Sequence, residues 1–156
     1  MELKIDSIFS KQKDRTPSQV VVQDVVKVKK GERVLIIANP ATSEIAEDLY
    51  SASCEVGANA TIIFQSDKTS FDNANEEVLA AIATEPEVCF SISNIKLGKD
   101  PKATANPYIT ESGEKFTHIF DYLMDGKKTM RGAWTPGITV DMMNRTAAID
   151  YKELQE

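Results

Sequence analysis

The sequence predicts an open α/β architecture: a mainly parallel four-stranded sheet with helices on both faces. Three observations carry this expectation. Val34-Leu35-Ile36-Ile37-Ala38 is a continuous apolar run of the kind buried on both sides in parallel sheets. Comparable runs recur at Ala60-Thr61-Ile62-Ile63-Phe64 and Val88-Cys89-Phe90-Ser91-Ile92. Between them lie stretches with helical spacing, so the strands are joined by right-handed crossovers rather than hairpins. The expected arrangement is Rossmann or flavodoxin-like, with strands at 33–38, 60–64, 88–92 and 129–133 in order 2-1-3-4. The winding direction then changes between the first and third strands, where open α/β sheets place their ligands.

Each element has its local reasons. Val21, Val22, Val25 and Val28 keep helical spacing after Pro17, and the basic turn Lys29-Lys30 followed by Gly31 reads as that helix's end. Asn39 or Thr42 caps the second helix, with Pro40 in its first turn. Its apolar stripe is Ile45, Leu49, Ala52 and Val56, stopped by Gly57. Asn73 and Glu76 form a capping box ahead of a helix through Val78, Leu79 and Ile82. The rhythm breaks from Ser93 to Lys115, which reads as one long loop with Gly98, Pro101, Pro107 and Gly113. Phe116, Ile119, Phe120, Leu123 and Met124 then form a helical stripe ending at Gly126, and Thr129 to Ala133 reads as the fourth strand. Ile138 and Met143 staple a further helix capped by Thr139. Asp150 opens a new capped helix with Glu153 in the reciprocal position. So short a remainder predicts a single domain over 1–156 that forms the amino-terminal part of a longer chain.

Composition narrows the function classes. The 156 residues hold 18 Lys and Arg against 24 Asp and Glu, a net charge of −6, and no dense basic run relieves it. Such a surface repels phosphate backbones, so no nucleic-acid partner is expected. No apolar run reaches membrane-spanning length and the start is too polar for a signal peptide, so no membrane partner is expected. Cys54 and Cys89 sit in apolar segments as buried thiols, which fits a reducing, cytoplasmic setting.

The residues supply little catalytic chemistry. His118 is the one histidine, read as solvated or paired with Asp121 along its helix, and neither C-x-x-C nor H-E-x-x-H occurs. No catalytic residue, metal ligand or cofactor is therefore assigned to this chain. The turn Asn39-Pro40-Ala41-Thr42-Ser43 lacks the glycines of a phosphate-binding loop, leaving Asn39 and Thr42 as candidate anion contacts at a helix start. The distinctive segment is Arg131 to Asp141, with the sole tryptophan and an abrupt Pro136-Gly137 turn. Arg131, Trp134, Thr135 and Asp141 are the candidate contacts to a substrate or a partner domain.

Val28 to Ile36 resembles the segment that opens the first strand in metallopeptidases of the aminopeptidase T/S type. The stretches Thr117 to Leu123, Arg131 to Asp141, Asn144-Arg145-Thr146 and Ile149-Asp150-Tyr151 resemble a divergent, leucyl aminopeptidase-like branch. That branch is related to a ring-cleaving dihydroxypyridine dioxygenase. The resemblance spans nearly the whole chain but only the amino-terminal half of such proteins. It implies a domain that covers the active site and assists assembly, inactive alone. It also implies a missing carboxyl-terminal catalytic domain as partner, a homodimer, and a divalent metal such as zinc or cobalt in that missing domain. No catalytic residue or metal ligand carries over to these positions. The alternatives are a complete flavodoxin-like module that holds an anionic small molecule beside Asn39 and Thr42, and a domain that dimerises through Ser93–Lys115.

Overall fold

Strand β1 (Arg33–Ala38) is the buried centre of the sheet, with only Arg33 exposed. In the computed structural model, which describes residues 15–134, it pairs in parallel with β2 (Asn59–Phe64) on one side and β3 (Val88–Ile92) on the other. A fourth strand, Arg131–Trp134, pairs in parallel with β3. Counting these four in chain order, the sheet runs 2-1-3-4, as the sequence predicts.

Alternation along β1 and β3 sends side chains to two cores. Val34, Ile36, Ala38, Val88, Phe90 and Ile92 pack against α1 (Pro17–Val20), its continuation Val21–Val25, and α2 (Ser43–Glu55). Leu35, Ile37 and Cys89 pack on the opposite face against α3 (Glu76–Ala83) and the later segment that carries Phe120 and Leu123. Ile36 and Ile37 are both fully enclosed, which is why a five-residue apolar run is needed here. Among the described residues no helix is long and apolar enough to cross a membrane.

Several boundaries differ from the sequence expectation. The first helix ends after Val25 in a wide turn, Val26 N–H to Val21 O at 2.8 Å, and the chain reverses through Lys27 at φ +57°. Val28 is buried, but from the extended run that follows rather than from the helix. Asn75, not Asn73, caps α3; Asn73 instead bridges to Lys99. The loop expected from Ser93 to Lys115 contains α4 (Pro101–Ala105) and a small hairpin of β4 (Tyr108–Ile109) and β5 (Lys115–Phe116). Phe116 therefore belongs to a strand, and α5 (Ile119–Asp121) starts after it and widens over Tyr122–Gly126. Strand β6 (Arg131–Trp134) begins two residues later than expected. Cys89 is buried, which pushes its thiol well up, whereas Cys54 is exposed on α2.

The turns that lead from helices into the four-stranded sheet share one device. After Val25, Glu55, Ala83 and Gly126 the chain turns back through a left-handed residue: Lys27, Gly57, Glu85 and Lys128 respectively. Such a residue frees the backbone to leave the helix axis sharply. Only Gly57 adopts it without a side-chain penalty.

Candidate functional site

Because the strands are parallel, the connections that follow β1, β2 and β3 gather at the carboxyl edge, and buried polar side chains brace them there. Asn39, the first residue past β1, is fully buried. Its Nδ2 donates to Gln65 O at 2.8 Å and to Ser66 O at 3.2 Å, and its Oδ1 accepts from Asn94 N–H at 2.6 Å. One amide thus ties together the exits of β1, β2 and β3. Thr42 adds a second tie, accepting from Asn39 N–H at 3.1 Å and donating to Ile92 O at 2.7 Å. The two candidate anion contacts are therefore brought together, with their polar atoms engaged inside the fold.

Gln65 and Asp100 extend this bracing outward. Gln65, at the end of β2, donates to Leu97 O at 2.7 Å and accepts from Asn75 N–H at 3.0 Å. Buried Asp100 accepts from Ala103 N–H at 3.1 Å, which caps α4, and from Ile119 N–H at 3.0 Å, which fixes the start of α5. His118 Nδ1 accepts from Phe120 N–H at 3.1 Å, so its proton sits on Nε2 and is donated to Gly98 O at 2.9 Å. His118 is a cap and a loop tie rather than the mid-helix residue expected. Gly98, at φ +104°, lets its loop press against the one carrying Ala74, because an added Cβ there would fall 2.5 Å from Ala74 N.

These ties enclose an open cavity of about 530 Å³, lined by 69–70, 96–100, 104, 117–118 and 120–121. Its size lies in the range of small-molecule sites. Leu97 and Phe120 supply apolar wall, Lys96 and Lys99 cationic groups, and Asp121 a carboxylate. The surrounding protein raises Asp121 above the usual carboxylate range, against a lowering by His118, although the side chain still meets solvent. Beside the cavity stands Phe71, 85% exposed, with the Lys99 ammonium 5.9 Å from its ring centroid.

Arg131 lies at the other edge. It is the first residue of β6, hence at the amino end of the sheet. Its guanidinium donates to Val26 O and Lys27 O, both at 2.9 Å, and forks onto the Glu32 carboxylate. The fork holds Glu32 below the usual carboxylate range. Arg131 is thus far from Asn39 and Thr42 along the strands, and its donors serve the fold. The backbone of Trp134 ends β6, while its side chain, Thr135 and Asp141 lie outside the described residues. Sequence reading missed Gln65, Asp100 and the cavity, since isolated polar residues at strand ends leave no periodic signal. The adjacent Asp100-Pro101 pair was the one available cue, an acidic cap before a first-turn proline.

Among the described residues no three His, Cys, Asp or Glu converge as a set that would hold a metal ion, so no metal-dependent step is assigned to them. In comparisons with known proteins, no family model matches the chain, and no curated protein matches it.

Proposed function

We propose that this domain is the amino-terminal part of an aminopeptidase-like metallohydrolase, in which it covers the active site and assists assembly as a homodimer. On this reading the divalent metal, zinc or cobalt, and the catalytic residues belong to a carboxyl-terminal domain, and the domain alone is inactive. The observation that carries it is the braced carboxyl edge, whose loops surround an open cavity of about 530 Å³ beside exposed Phe71 and Ile95. Such a rigid, concave, partly apolar face suits a domain that leans over a site built elsewhere. The sequence resemblance of 28–36 and 117–123 supports the same assignment.

The test is to express the open reading frame past Glu156 and assay it, beside the present chain, for hydrolysis of leucine p-nitroanilide with added zinc or cobalt. Metal-dependent hydrolysis by the longer chain and silence of this one is the expected result. A reading frame that stops at Glu156, or a longer chain without hydrolytic activity, overturns the proposal.

A further inference from the structure

We infer that the cavity between the loops after β2 and β3 and the start of α5 is itself a ligand site, for a small amphipathic monoanion. This inference stands apart from the reading above, because it needs only residues of this domain.

The walls are fixed before any ligand arrives. Lys99 N–H donates to Asp72 O and Ala74 N–H donates to Lys99 O, both at 2.9 Å, so the first two loops are zipped along their length. Gln65 holds Leu97, His118 holds Gly98, and Asp100 holds Ile119. Each wall is therefore tied to another by a bond already made within the protein. A site ordered in advance loses little entropy when it fills.

The lining selects the ligand. Leu97 and Phe120 are nearly fully buried and offer an apolar surface to the body of a guest. The Ser70 and Thr117 hydroxyls, also in the lining, have no hydrogen-bond partner among the described residues and can donate to it. Charge decides the rest. Of the two lining aspartates, Asp100 has both oxygens occupied by backbone N–H groups and faces the fold. Within the lining that leaves Asp121 facing Lys99, whose charge also reaches the Asp72 carboxylate outside the lining, in a chain whose overall charge is −6. Lys99 forms no ion pair among the described residues. Its ammonium rests near the Phe71 ring, a contact an anion can share without displacing a stronger one. An anionic head group at Lys99 with an apolar body against Leu97 and Phe120 satisfies both kinds of wall. The different place proposed from sequence for an anion, Asn39 with Thr42, has its donors committed inside the fold.

The experiment uses two probes with the same aromatic bulk, 1-anilinonaphthalene-8-sulfonate and uncharged N-phenyl-1-naphthylamine, titrated into the folded chain by fluorescence, with calorimetry for stoichiometry. One sulfonate per chain is expected, bound about ten-fold more tightly than the neutral probe. Lys99→Gln is expected to erase that preference while neutral-probe binding stays. Thr117→Trp, which fills the cavity from an exposed wall position, is expected to abolish both. Circular dichroism melting checks that each variant is folded, and Lys99→Met replaces Lys99→Gln should the latter not fold. Equal affinity for the two probes, no effect of removing the lysine charge, or binding that survives Thr117→Trp overturns the inference.

Discussion

At the amino edge of the sheet, Arg33 meets Glu87 at 3.4 Å and Lys127 meets Glu85 at 2.7 Å, both well exposed, and Arg131 forks onto a partly buried Glu32. At the carboxyl edge the equivalent cross-links are the buried, uncharged amides of Asn39 and Gln65, assisted by Thr42 and by Asp100. The first kind of link is screened by salt and each is worth little alone, because water competes for both partners. The second kind excludes water, so losing one partner strands several buried groups at once. The protein thus closes one end with replaceable surface contacts and the other with a network that tolerates little change. The cavity lies at the rigid end.

The sharpest test of this contrast is Asn39→Leu. It keeps side-chain bulk but strands Gln65 O, Ser66 O and Asn94 N–H, and a loss of about 3 kcal/mol or more is expected in urea denaturation. A loss under about 1 kcal/mol breaks the claim that the carboxyl edge is the rigid one.

The amino edge should respond less, and to different variables. Arg131→Met is expected to cost about 1–2 kcal/mol at low salt, with the share from the Glu32 ion pair gone at 1 M sodium chloride and the share from the Val26 and Lys27 carbonyls remaining. Acid separates the edges further. Arg131 lowers Glu32, the Lys127 ammonium lowers Glu85, and the Arg33 N–H lowers Glu87. A carboxylate depressed in the folded state binds its proton more readily in the unfolded state. Its contribution is therefore complete above the ordinary carboxylate range and is lost as pH falls through the folded-state value. Below about pH 4.5 the amino edge should loosen first. Hydrogen exchange of β6 amides should then accelerate before that of the Asn94 amide, and the reverse order contradicts the comparison.

The smallest expected effect lies in the turns. Lys128 is exposed at φ +60°, so Lys128→Gly relieves a left-handed side chain and should raise stability by about 0.5–1 kcal/mol in thermal melts. A destabilised variant would mean that Lys128 makes a compensating contact at this edge.

The sheet was legible because its signals are local and repeated. Val34 to Ala38 and Val88 to Ile92 are apolar at nearly every position, and only a doubly covered parallel strand asks for that. The helix stripe of Ile45, Leu49 and Ala52 was equally plain, and all three are buried. What sequence does not show is a contact that depends on a distant partner. Arg131 drew notice for its neighbours in sequence, but its placement comes from Glu32, 99 positions away. Asn39 reads from sequence as a helix cap and candidate anion contact, while its partners at 65, 66 and 94 are invisible to periodicity. The segment from Ser93 to Lys115 looked structureless because α4 and the β4–β5 hairpin are each too short to show a period.

The Arg131 clamp has a consequence for the order in which the chain is made. Val26, Lys27 and Glu32 leave the ribosome some hundred residues before the guanidinium that gathers them. During synthesis β1, β2 and β3 can already pair, with the carboxyl-edge ties of Asn39 and Gln65 complete once Leu97 has emerged. The turn between α1 and β1 must meanwhile wait, its carbonyls held by water alone. Vectorial synthesis therefore completes the ties of Asn39 and Gln65 well before the one that secures helix α1.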